Sequence, residues 1–142
     1  MDRQQIYDAI PHREPFLLVD QIEELSDARI VGTKTFTGKE DFFAGHYPGY
    51  PMVPGVLLCE AAMQCGAVLL SRHFAQADGK VPVATRMNDV RFKRMVRPGE
   101  TIRLEVELVE RLAEAFFLKA KATVDGKVAV RFEFACTAAE RI

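Results

Sequence analysis

A histidine in a glycine- and proline-rich segment, Gly45-His46-Tyr47-Pro48-Gly49, stands fourteen residues ahead of Glu60, which lies in the most apolar stretch of the chain. Imidazole is the side chain whose unperturbed pKa best suits accepting a proton near neutrality, so His46 is a candidate base. A carboxyl flanked by Val56, Leu57, Leu58, Cys59, Ala61, Ala62 and Met63 is costly to ionise and tends to keep its proton, so Glu60 is a candidate acid. Gln64, four residues on, falls on the same helical face and can hydrogen-bond the carboxyl and aim it. Pro54-Gly55 stands where helices begin. The first-turn N–H groups, at Gly55 and Val56, would then face the loop and could hold a thioester oxygen gaining enolate character. Base, acid and oxyanion donors together form a complete set for removing a proton beside a carbonyl and expelling a hydroxyl. His12 and His73 read as surface or hydrogen-bonded residues, His12 standing beside an apolar run.

Arg91, Lys93, Arg94 and Arg97 put four cations into seven residues of a chain that is otherwise balanced, with 19 basic and 20 acidic residues. If strand alternation holds, Arg91, Lys93 and Met95 share one face and Arg94 the other. The patch suits solvent, an acidic protein or a phosphate-bearing arm. No stacking-aromatic pattern accompanies it, so nucleic acid is not indicated.

The elements that must position these residues can be read from periodicity. The 142 residues suit a single domain, 1–142, without repeat or linker. Asp2 and Gln5 cap a short helix that Pro11 stops. Strands are predicted over Phe16–Leu25 and Arg29–Thr37, followed by a stiff shaped loop over Gly38–Pro54. Val56 to about Phe74 reads as a helix apolar almost all round, which belongs inside a domain with other structure wrapped around it. Ile102–Leu108 and Val128–Phe134 alternate wet and dry residues, and Asp125-Gly126 signals a hairpin joining Phe116–Val124 to Lys127–Thr137. The expected fold class is α+β, an antiparallel sheet curled around one central helix. No signal-peptide pattern opens the chain. Val56–Leu70, fifteen residues carrying Glu60 and Gln64, reads as too short and too polar for a bilayer span, so a cytoplasmic protein is expected. Cys59, Cys65 and Cys136 lack CxxC spacing and read as small apolar packing rather than a disulfide framework or zinc site. No metal or cofactor is called for.

The chain resembles the beta-hydroxyacyl-acyl carrier protein dehydratases (FabZ-like) of type II fatty acid synthesis. The matching residues are Ile10-Pro11-His12-Arg13, Pro15 to Asp20, FFAGHYPGYPMVPGVLLCEAAMQ at 42–64, RFKR at 91–94, Pro98-Gly99 and ATVDGK at 122–127. The resemblance implies a hot-dog fold working as a homodimer, often as a trimer of dimers, with histidine and glutamate meeting across the dimer interface. It implies that His46 removes the C2 proton, that Glu60 protonates the departing C3 hydroxyl, and that the Gly55 region holds the thioester oxygen. It also implies an apolar acyl tunnel and an acyl carrier protein docked on basic residues, for which Arg91, Lys93, Arg94 and Arg97 are the candidates. Glutamate rather than aspartate at the acid position favours dehydration without isomerisation. Tyr47, Met95 and Arg97 depart from the family's usual phenylalanine, proline and apolar residue.

Two other functions suit the same elements: a hot-dog acyl thioesterase, and a non-catalytic acyl-thioester-binding module.

Overall fold

A computed structural model describes residues 1–74 and 79–140 of the chain. In order the elements are α1 (Arg3–Ala9), β1 (Gln21–Leu25), β2 (Arg29–Thr35), a 3-10 turn over Asp41–Ala44, α2 (Gly55–Leu70), a second 3-10 turn over Ser71–His73, β3 (Lys80–Phe92), β4 (Thr101–Leu112), β5 (Ala115–Val124) and β6 (Lys127–Glu140). The six strands make one sheet in the order β1-β2-β4-β5-β6-β3, every neighbouring pair antiparallel. Against it lies α2, touching all strands but β1 closely. This is the α+β hot-dog architecture.

Local sequence accounts for most of these elements. At the β5–β6 turn Asp125 and Gly126 both take positive φ, 50° and 79°, the backbone that a two-residue hairpin needs to match strand twist. Ile102, Leu104 and Val106 of β4 are buried while Arg103 and Glu107 are exposed, and Val130, Phe132 and Phe134 of β6 are buried while Arg131 and Glu133 are exposed. The seven-residue α1 is too short to stand alone. It is held by the Asp2–Gln5 capping box, by buried Ile6, and by Arg3 donating to the Val19 carbonyl at 3.0 Å.

Three expectations change. The strand predicted over Phe16–Leu25 begins only at Gln21, because the Leu18 N–H and the Phe16 carbonyl, groups a neighbouring strand would use, bond instead to the Gln64 side chain. Second, alternation does not carry through the basic cluster. A bulge between Asn88 and Arg91, with Asp89 at φ 52°, twists the end of β3, and the strand stops at Phe92. Lys93 and Arg94 then both donate to the Ala129 carbonyl, at 2.7 and 3.3 Å, in a turn.

Third, α2 is not wrapped on all sides within one chain. Leu58, Cys59, Ala61, Ala62, Cys65, Val68, Leu69 and Leu70 are buried, but Leu57, Glu60, Met63 and Ala67 are only partly covered and Val56 is 69% exposed. Those residues recur at helical spacing and form one open stripe, since a single sheet can cover only one side of a helix. β3 is open too. It lies at the sheet edge, and from Val83 to Asp89 every residue on both faces is exposed.

The helical stretch Gly55–His73, at 19 residues and mean hydropathy 1.3, does meet the length and composition of a bilayer span, contrary to the shorter estimate from sequence. With 61% of it packed inside the fold, it is the core helix of the sheet.

The helix approaches the sheet closely at Gly66, where a Cβ would lie 2.9 Å from the Phe134 ring and 3.3 Å from Val106. Phe134 is itself buried and has little room to yield. Gly66→Val is therefore expected to destabilise the fold by about 1–3 kcal/mol through overpacking, read as a lower urea midpoint. An unchanged midpoint would mean that helix and sheet are less tightly apposed there.

Candidate active site

Glu60 lies in the open stripe of α2, and its orientation is set by one neighbour. The Gln64 side-chain amide donates to Glu60 Oε2 at 3.0 Å and to the Phe16 carbonyl at 2.9 Å, while its oxygen accepts from the Leu18 N–H at 2.6 Å. Gln64 is 1% exposed, so its own amide is removed from water, where a bond left unmade would be expensive. The expected aiming of Glu60 by Gln64 is present. Glu60 itself is only partly buried, since the single chain leaves its α2 face open.

His46 is carried by a loop with several backbone ties. Gly45 N–H donates to the Phe42 carbonyl, Tyr50 N–H to the Tyr47 carbonyl at 2.9 Å, and Val53 N–H to the Val96 carbonyl at 2.8 Å. Tyr47 takes φ 53° and its ring meets the His46 ring edge-on with centroids 4.8 Å apart. His46 Nδ1 lies 3.0 Å from the Met52 carbonyl oxygen. A carbonyl can only accept, so Nδ1 carries the hydrogen and Nε2 keeps the free lone pair, the state a base requires. Among the described residues no hydrogen bond or ring contact joins His46 to Glu60 within one chain.

At Gly55 the helix begins behind Pro54 with no side-chain cap. The first-turn N–H groups of Gly55 and Val56 have no place in the helical ladder, and a helix N-terminus of this kind carries partial positive charge. The Phe92 ring fixes how close a chain can come here. A Cβ on residue 55 would lie 2.6 Å from it, so any larger residue would have to displace the exposed Phe92 ring.

The four candidate cations differ. Arg91 is paired with Asp89 at 2.9 Å, and Arg97 donates to the Tyr50 hydroxyl at 3.2 Å with its guanidinium over that ring. Lys93 and Arg94 are exposed and have no ion-pair partner among the described residues. Burial pushes the thiols of Cys59, Cys65 and Cys136 up to about 11, 12 and 11, so none is a nucleophile at neutral pH. His73 donates to the Asp27 carbonyl at 2.8 Å, as read from sequence. A recess on the outer sheet face, lined by Arg29, Asp89, Glu105, Lys119, Lys121 and Arg131, contains none of the candidate residues.

Sequence reasoning overlooked Phe16 and Leu18 as anchors of Gln64 and Phe92 as the ring beside the start of α2. Arg13 ties the segment that carries two of them, donating to the Tyr7 and Ile10 carbonyls at 3.1 and 2.8 Å and stacking over the Tyr7 ring. Beside it, Asp20 accepts from the Thr35 N–H at 2.8 Å and locks the segment's far end to β2.

Residues 10–133 match the model of the FabA-like domain, and the chain belongs to that family of hot-dog dehydratases. Curated relatives named 3-hydroxyacyl-[acyl-carrier-protein] dehydratase FabZ extend the match over nearly the whole chain. The Clostridium perfringens (strain SM101 / Type A) protein is 46% identical over 129 residues, 91% of this chain and 92% of its own. That of Bacillus pumilus (strain SAFR-032) is 47% identical over 135 residues, 94% and 92%. That of Caulobacter sp. (strain K31) is 44% identical over 142 residues, 99% and 87%. Among solved structures, a chain of the dehydratase heterocomplex ApeI:P from Xenorhabdus doucetiae superposes with TM-score 0.81 over 96% of this chain and 91% of that one; at 17% identity it supports the fold.

Gln64→Leu preserves the apolar volume but strands the Leu18 N–H and the Phe16 carbonyl. It is expected to cost about 1–3 kcal/mol per stranded group in urea unfolding. A loss well under 1 kcal/mol would mean that water or a neighbour replaces the amide without penalty.

Proposed function

We propose that the chain dehydrates (3R)-hydroxyacyl thioesters carried on acyl carrier protein to trans-2-enoyl thioesters in type II fatty acid synthesis. The observation that carries this reading is Glu60, held by Gln64 on the open stripe of α2 one turn beyond an uncapped helix N-terminus. A base of the right tautomer, His46, belongs to the adjoining loop. In the reaction His46 Nε2 takes the C2 proton while the first-turn N–H groups of α2 hold the negative charge that moves onto the thioester oxygen. That charge returns to form the C2–C3 double bond as the C3–O bond breaks. Glu60 delivers its proton to the departing hydroxyl, and water leaves.

The site is completed by a second copy of the chain. The open stripe of α2 and the uncovered edge strand β3 both call for a partner. Val83, Met87 and Phe92 on β3 are 44, 41 and 55% exposed, and an unpaired edge strand is a template for pairing with another chain. In a symmetric dimer each open surface would meet its own counterpart, and His46 of one copy would approach Glu60 of the other. Lys93 and Arg94, whose charges have no ion-pair partner among the described residues, are the better contacts for an acidic carrier protein; Arg91 and Arg97 play a lesser part. The three buried thiols suit a reducing cytoplasm.

Purified protein supplied with a 3-hydroxyacyl thioester on carrier protein should generate the conjugated enoyl absorbance. His46→Ala and Glu60→Gln should each reduce turnover by about 10²–10⁴-fold. Release of free thiol in place of the enoyl product would favour a thioesterase, and retained turnover in both variants would overturn the assignment of base and acid.

A further inference from the structure

His12 is half-buried in the segment between α1 and Phe16, and its ring stacks on Phe16 with centroids 6.4 Å apart and planes 15° from parallel. Among the described residues its Nδ1 is the one buried side-chain nitrogen or oxygen without a hydrogen-bond partner. The charged groups around it are Glu60 on α2 and Arg13 on its own segment. Burial is the main influence and lowers the ring's pKa from its ordinary value, Glu60 opposes this, and Arg13 adds to it.

Chemistry selects one state from this geometry. An imidazolium ring, or the Nδ1–H tautomer, would place an N–H in a position with nothing to accept it, whereas an unprotonated Nδ1 is the less costly orphan. This geometry favours the neutral ring with its proton on Nε2. The same short segment carries the Phe16 carbonyl, which shares the Gln64 amide with Glu60. Gln64 bonds only Oε2 of Glu60, which leaves the other carboxylate oxygen open to a second donor.

We propose that His12 is a positioning residue for Glu60: as the neutral Nε2–H tautomer it donates a hydrogen bond to the carboxylate that remains when Glu60 gives up its proton. The proposal rests on Glu60 acting as the acid. In the structure no hydrogen bond links the two residues. As negative charge develops, the carboxylate becomes a stronger acceptor than the acid and draws the donor in. The bond thus strengthens towards the transition state, and its contribution falls on kcat rather than on substrate affinity.

Two measurements on the full chain test this. Histidine-selective ¹³C/¹⁵N NMR should show His12 neutral and protonated at Nε2 at pH 7; an imidazolium or an Nδ1–H ring overturns the proposal irrespective of any assay. In kinetics, His12→Phe keeps a ring to stack on Phe16 but has no donor. It should lower kcat about tenfold, as expected for one hydrogen bond to a charged group, while KM and affinity for a saturated acyl thioester stay as in the parent. His12→Gln restores an N–H and should recover a large part of kcat. Unchanged kcat in His12→Phe, no rescue by glutamine, or a loss confined to KM overturns the proposal. Absence of turnover in the unmodified chain would instead refute the functional reading itself, which keeps the two failures distinct.

Discussion

The buried amide of Gln64 is the constraint on which the rest of the site depends. A glutamine 1% exposed in an otherwise apolar helix must satisfy its oxygen and both hydrogens, and it does so with Leu18, Phe16 and Glu60. Each bond has a structural consequence. Those to Leu18 and Phe16 divert the apolar run from the sheet and bind it to α2, so that buried Leu17, Leu18 and Val19 complete the core beside the helix. The bond to Glu60 gives the carboxyl one orientation. His12, which precedes this run, stacks on Phe16, so the same amide also anchors the residue against which that imidazole lies.

The remainder of the chemistry is arranged about the end of α2. Pro54 and Gly55 start the helix without a side-chain cap, and the ring of Phe92 lies where a Cβ on residue 55 would meet it. The His46 loop is drawn towards the turn after β3 through the Val53–Val96 backbone bond, and the Met52 carbonyl fixes the base's tautomer. Glu60 and His46, the proposed acid and base, are thus each ordered within the chain, yet among the described residues no hydrogen bond joins them. The surfaces left open, the Glu60 stripe of α2 and both faces of β3, are the ones a second copy would need.

Features decided by neighbours in sequence were legible from sequence. The capping box of α1, the start of α2 at Pro54-Gly55, the Asp125-Gly126 hairpin, the alternation in β4 and β6 and the Glu60–Gln64 contact all depend on spacings of a few residues. What escaped depends on distant partners. Phe16-Leu17-Leu18-Val19 has the composition of a strand, and only the side chain of Gln64, 46 residues from Leu18, stops it becoming one. β3 was not anticipated because neither of its faces is covered by its own chain, so it carries no apolar alternation over Val83–Asp89. Alternation does not carry through the cations at 91–97, because a bulge with Asp89 at positive φ interrupts the register and the strand stops at Phe92. His12 looked ordinary because its significance lies in an orphaned Nδ1 and a nearby carboxyl, neither of which has a sequence pattern.

The central claim is that acid and base work together across two copies of the chain, and mixing two inactive variants tests it most directly. Chains carrying His46→Ala and chains carrying Glu60→Gln, each inactive alone, would be unfolded together and refolded so that mixed dimers form. In a mixed dimer one site loses both groups while the other recovers both intact. The account predicts that dehydratase activity returns on mixing. Two variants that refold, associate and remain inactive together would contradict it.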